Sequence, residues 1–106
     1  MDKLKKVKGS NGLLAFFCPA CHRVHEVCID RRDWPNLVWQ WNGNKDKPTF
    51  SPSILELGED KNGKTRCHTF VRDGEIHYLS DCTHGMAGKT VDMVDIPENY
   101  GGLEDL

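Results

Sequence analysis

Cys18-Pro19-Ala20-Cys21 is the stretch whose spacing speaks most directly of chemistry. Two cysteines two residues apart, with a proline between them, form a tight knuckle that aims both sulfurs at one point, half of what a tetrahedral zinc ion needs. Cys67, His68, Cys82 and His84 lie further along, and His25 is close to the knuckle. The five cysteines are an odd count, so four can ligate and one, Cys28, is left as a small buried hydrophobe.

His25, His68, Asp81 and His84 form a second polar set. Three imidazoles and a carboxylate can hold a catalytic metal with an open position. The preferred reading is more modest: His68 and Asp81 hydrogen-bond turn backbone and support the metal shell from outside. No H-E-x-x-H helix, phosphate-binding glycine loop or serine-nucleophile elbow is present, and the order of motifs is not that of a zinc deaminase. No catalytic residue is therefore assigned.

The elements that must position these groups read as β-strands. Leu13–Phe17 leads into the knuckle and His22–Asp30 leaves it, the strand–knuckle–strand order of a zinc-ribbon hairpin. Val38–Trp41 and Ile54–Leu57 are short strand candidates. Between them, Pro48-Thr49-Phe50-Ser51-Pro52-Ser53 reads as an extended loop, because its prolines remove donors that a central strand needs. Arg66–Arg72 and Glu75–Ser80 flank Asp73-Gly74, the signature of a two-residue type I′ hairpin. Thr90–Ile96 reads as a final strand.

That hairpin fixes a register. Arg72 pairs with Glu75 and Val71 with Ile76. Counting outward, one face carries Cys67, Thr69, Val71, Ile76, Tyr78, Ser80 and Cys82, and the other carries His68 and Asp81. The reading favours a zinc site of Cys18, Cys21, Cys67 and Cys82. Its rival uses Cys82 and His84 as a compact half-site, with Cys67 free.

At 106 residues and 38% apolar composition the chain can bury one modest core, which a metal would help to staple. Residues 1–12, rich in lysine, read as a basic flexible arm, 13–96 as a single zinc-binding β domain, and 97–106 as an acidic tail. The expected fold class is mainly β: antiparallel hairpins, zinc-ribbon-like, with little helix. A net charge of −2 argues against a strongly nucleic-acid-binding domain. The lysine arm with Trp34, Trp39 and Trp41 keeps a nucleic-acid-binding zinc ribbon as an alternative, although core packing is the expected use of the tryptophans. Met1–Asn11 is charged and no segment is apolar enough to span a bilayer, so a cytoplasmic protein without membrane contact is expected.

The ordered motifs resemble a family of small phage and prophage zinc-binding proteins of unknown function, sometimes labelled "ammonia monooxygenase" in genome annotation. The resemblance rests on the knuckle with His25, on Trp41-Asn42-Gly43, on the Pro48–Ser53 run, on Cys67-His68-Thr69-Phe70 with Asp73-Gly74, and on Asp81-Cys82-Thr83-His84 with Gly88. Members more often carry glycine where this chain has His22. The resemblance implies a phage-derived zinc-binding domain. The expected function is a non-enzymatic interaction module for a host protein, such as an inhibitor of a host or antiviral-defence protein. A zinc-dependent hydrolase using the His/Asp cluster is the alternative of a different class.

Overall fold

The computed structural model describes residues 2–106. Among them there is no helix, so none is long and apolar enough to cross a membrane. Nine strands follow in order: β1 (Lys5–Val7), β2 (Leu13–Cys18), β3 (Arg23–Cys28), β4 (Gln40–Trp41), β5 (Phe50–Asp60), β6 (Gly63–Arg72), β7 (Glu75–Tyr78), β8 (Thr90–Asp92) and β9 (Leu103–Glu104). They form two antiparallel sheets, ordered β3-β2-β1-β9 and β4-β5-β6-β7-β8. The mainly β, antiparallel architecture is the one expected from the sequence.

Period-two alternation explains the packing. In β2, Leu14 and Phe16 point inward; in β6 and β7, Thr69, Val71, Ile76 and Tyr78 do the same. With Val27, Phe50, Ile54 and Met93 they form one core drawn from both sheets. Trp39 is buried and Trp34 and Trp41 pack against this core, Trp41 stacking on Phe50, so the tryptophans are packing residues.

The Asp73-Gly74 turn behaves as its residues dictate. Both have positive φ, 49° and 77°, as a type I′ turn requires, and Val71 pairs with Ile76 and Arg72 with Glu75. Glycine is also needed at 74 for space, since a Cβ there would sit 3.2 Å from the Lys47 backbone.

Three segments differ from expectation. Lys5–Val7, placed in a flexible arm, pairs with Leu14 and Ala15 on one side and with Leu103 and Glu104, placed in a tail, on the other. A surface ion pair accompanies this pairing: Lys6 Nζ lies 2.9 Å from Glu104 Oε1. Thr90–Ile96 forms a strand over Thr90–Asp92 and, past it, a single antiparallel bridge from Val94 to Phe17. The third segment is the proline-containing run: β5 begins at Phe50 and passes through Ser51, Pro52 and Ser53 as an irregularity in the sheet. Phe50 pairs with Val71 and Ile54 with Thr69, so three residues of β5 stand opposite Phe70 alone. A bulge absorbs the missing proline donor and re-aims the side chains it carries.

Candidate functional site

The bulge delivers Ser53 to the solvent-facing side of β5 and β6. Ser53 Oγ lies 3.0 Å from His68 Nε2. On the far side of the ring, His68 Nδ1 lies 3.1 Å from Asp81 Oδ2 and 3.3 Å from Oδ1. The serine hydroxyl donates to Nε2, and Nδ1–H donates to the carboxylate. His68 and Asp81 side chains are 26% and 40% exposed, so the site is open to a substrate. Desolvation is the largest single influence on Asp81 and raises its pKa, but the His68 hydrogen bond, a backbone hydrogen bond and the charges of His68 and Arg66 together outweigh it and hold the carboxyl below its ordinary value. Arg66 Nη1 stands 3.6 Å from Asp81 Oδ2.

His68 is fixed through its backbone as well. Beyond Tyr78 the β6–β7 ladder ends, and a side chain continues it: His68 N–H donates to Cys82 Sγ at 3.2 Å, and the Cys82 thiol donates to His68 C=O at the same distance. Leu79 N–H donates to the same carbonyl at 2.9 Å. A cleft of about 540 Å³ opens beside Asp81, lined among others by Leu57, Lys64, Arg66 and Thr83.

On the opposite face of β6 the neighbouring residue, Cys67, points into a different cluster. Ligand atoms of Cys18, Cys21, His25 and Cys67 all lie within 4.8 Å of one another, a grouping able to hold a metal ion. Cys18 and Cys67 sulfurs are 4.0 Å apart, and the Tyr78 hydroxyl lies 3.2 Å from Cys18 Sγ. His25 is 1% exposed, and neither ring nitrogen has a properly aligned hydrogen bond. Its Nδ1 is nonetheless 3.1 Å from Glu56 Oε1, a carboxylate that β5 places opposite Cys67. A buried imidazole with an unused nitrogen among three thiols has the donor set of a metal ligand.

The electrostatics of the cluster point the same way. Burial pushes the His25 pKa down, but the sulfurs of Cys18 and Cys21 and the Glu56 carboxylate beside the ring outweigh it and carry it up to about 11. Hydrogen bonds from Cys21 and Cys67 pull the Cys18 thiol down, while its partners Cys18 and Cys21 push Cys67 up. The cluster thus favours a negative sulfur at Cys18 beside a positive charge at His25.

Of the four cysteines expected to form one shell, the structure brings Cys18, Cys21 and Cys67 together with His25. Cys82 belongs to a second grouping with Cys67 and His84, where His84 Nε2 is 3.3 Å from Cys67 Sγ. The ladder stops before Cys82, so the counted register no longer holds there. Cys28 is buried and its thiol donates to Asp30 C=O at 2.9 Å. His22 is exposed, with φ 57°, a left-handed conformation that favours glycine.

His68 and Asp81, expected to support the metal from outside through turn backbone, instead bond to each other and to Ser53. His25 and His84 are drawn away to the thiols, so the four-membered histidine–aspartate set does not assemble. The sequence motifs do not single out Ser53, since the familiar nucleophile elbow joins a strand to a helix. The available signal was a serine directly after a proline at the point where a β pattern is interrupted.

A serine, a histidine and an aspartate bonded in line on an all-β scaffold have the arrangement that a serine hydrolase uses. The chain belongs to the family described as "Bacterial ubiquitination-like system serine protease (BubE)", whose model matches residues 3–79. The matched span holds Ser53, His68 and all four members of the thiol–imidazole cluster; Asp81 lies two residues past it. No curated protein and no solved structure matches the chain. The family overturns the expectation of a non-enzymatic, phage-derived interaction module, since it is a family of enzymes. Size and the lack of a familiar motif had suggested otherwise; a triad assembled from separated residues leaves no compact motif.

Proposed function

We propose that this protein is a serine protease of a bacterial ubiquitination-like system, with Ser53 as nucleophile, His68 as general base and Asp81 as its orienting carboxylate. The observation that carries the reading is the continuous hydrogen-bonded line from Ser53 Oγ through both nitrogens of His68 to Asp81. Ser53 Oγ attacks the carbonyl carbon of an amide while its proton passes to His68 Nε2. His68 then returns that proton to the departing nitrogen, and water releases the acyl group by the reverse route. Asp81 holds the tautomer with the proton on Nδ1 and stabilises the transient imidazolium.

The thiol–imidazole cluster is read as a structural zinc site of Cys18, Cys21, His25 and Cys67. Zinc–sulfur bonds of about 2.3 Å at tetrahedral angles set sulfurs roughly 3.8 Å apart, close to the Cys18–Cys67 separation. Glu56 would orient His25 through Nδ1, leaving Nε2 for the ion. The ion would supply a cross-link between the sheets. Four protein ligands close the shell and leave the chemistry to Ser53.

The test is labelling with a fluorophosphonate, which reacts with activated serines, followed by mapping of the adduct. Labelling at Ser53, abolished in His68→Ala with zinc content unchanged, is expected. Absence of labelling in folded, metal-loaded protein refutes the triad.

A further inference from the structure

We infer that the free edge of β5 next to Ser53 seats an extended segment of the substrate polypeptide as an added strand, registered by the backbone of Leu55 and Leu57. The inference rests on the triad reading above and names how its substrate is held.

Main-chain directions in β6 show which groups are available. His68 turns its N–H and C=O toward Cys82 and Leu79, and Arg66 turns its own toward Thr83, all on the side away from β5. Antiparallel pairing alternates, so Thr65, Cys67 and Thr69 face β5. Their partners Gly58, Glu56 and Ile54 face β6 in return. Leu55, Leu57 and Glu59 must therefore turn their N–H and C=O groups outward. β4 pairs with β5 only at Phe50 and Ser51, and no other strand among the described residues pairs with that edge. The outward carbonyl of Ser53 is used locally, accepting from Trp39 Nε1 at 3.2 Å. Past that point the edge is open.

The side chains make the same case. Leu55 and Leu57 are 49% and 63% exposed, among the few large apolar groups left in water. By alternation they share the face of Ser53, and Leu55 pairs directly with His68. Leu57 also borders the cleft that begins at Asp81. Unpaired backbone, exposed apolar side chains and a nucleophile in one line suit an extended peptide, which offers backbone donors and acceptors together with alternate side chains.

The test separates backbone from side chain. Leu57→Pro removes an outward N–H without touching the β6 ladder, since proline is tolerated where the lost donor faces solvent. Leu57→Ala keeps the N–H. Both are assayed on a random-sequence peptide library, with cleavage read by mass spectrometry, and with the fluorophosphonate, which needs no peptide seat. Leu57→Pro is expected to lower library kcat/KM about five- to tenfold, mainly through KM, as for one lost hydrogen bond. Leu57→Ala should lose less, and both should still label at Ser53, losing less in labelling than in library cleavage.

Equal cleavage by Leu57→Pro and the parent, equal losses in the two variants, or a labelled parent that cuts no library peptide overturns the proposal. So does an unaffected cleavage rate with loss of a dimer on size exclusion, which assigns the edge to a second copy. A parent that never labels removes the triad itself. Should Leu57→Pro fail to fold, amide exchange decides: Leu55 and Leu57 should exchange fast in free Ser53→Ala protein and slow on adding the library. Unchanged exchange at both overturns the proposal.

Discussion

The two faces of β6 carry two different kinds of site. Inward, Cys67 joins a buried cluster drawn from both sheets: Cys18 and Cys21 at the β2–β3 knuckle, and His25 from β3. Outward, His68 joins an exposed line whose members all come from β5, β6 and the segment after β7. The inner site ties distant chain together and excludes water; the outer one needs only local register and must meet water. Sequence neighbours therefore serve opposite ends, stability and chemistry, because a strand alternates its side chains. Removing an inner residue should disturb both sites, whereas removing an outer one should disturb chemistry and leave the inner cluster intact.

The sharpest separation should come from Ser53→Ala. It deletes the nucleophile on the outer face, and turnover should fall on the order of 10⁴- to 10⁶-fold, with melting temperature and zinc content unchanged. Coupled loss of metal in that variant would break the division between the faces. Asp81→Asn should follow, at about 10⁴-fold in kcat, because the imidazole loses the partner that fixes its tautomer.

The inner face is tested by the metal. Chelation, or Cys67→Ser, should collapse near-ultraviolet circular dichroism and lower the melting temperature, and it should abolish fluorophosphonate labelling by displacing His68. Cys28→Ser should keep its zinc and cost about 1–3 kcal/mol, since it only places a hydroxyl in a buried thiol's position. Equal zinc content in the two serine variants would exclude Cys67 from the shell.

Cys82 sits where the faces meet, and it sharpens the comparison. Cys82→Ala leaves the N–H and C=O of His68 without their thiol partner, at about 1–3 kcal/mol. Labelling should slow while zinc stays bound. Zinc lost on this substitution, with Cys18 and Cys67 intact, would return Cys82 to the shell.

Acid offers a smaller effect with a definite sign. Desolvation raises the folded Asp81 carboxyl, but its bond to His68, a backbone hydrogen bond and the charges of His68 and Arg66 together hold it below its unfolded value. Its contribution is therefore present above about pH 4 and fades as pH falls through the lower folded value. The difference in unfolding midpoint between parent and Asp81→Asn should shrink as pH drops from about 5 to about 3. A difference that holds constant would mean the ion pair contributes nothing. The smallest change is His22→Gly, which should raise stability by up to about 1 kcal/mol by relieving a left-handed φ.

Some of this was readable from residues alone. Asp73-Gly74 set the β6–β7 register correctly, because a two-residue turn leaves one way to count. That count put Cys67 and His68 on opposite faces. The knuckle announced a metal-type cluster because its geometry is local. Three things escaped. The count could not see that the ladder ends after Tyr78; Cys82 does come close to Cys67, but in a grouping with His84 and not with Cys18 and Cys21. His25 was assigned to the wrong company, since only the packing of one sheet on the other turns its ring toward the thiols. Ser53 was hidden because the run Ser51-Pro52-Ser53 reads as broken strand, and the break is what aims the hydroxyl.

The three-for-one bulge also bears on how such a site can arise. A nucleophile on a strand-to-helix elbow needs a particular fold around it. In the proposed triad the attacking group is placed by arithmetic: two surplus residues on one strand, close to a histidine on the next. An insertion of that size in any antiparallel pair with a suitably placed histidine would bring serine and imidazole into reach. The reactive pair is therefore portable between sheets, and a bulge of this kind beside a strand histidine is a pattern for recognising unannounced hydrolases among small β proteins.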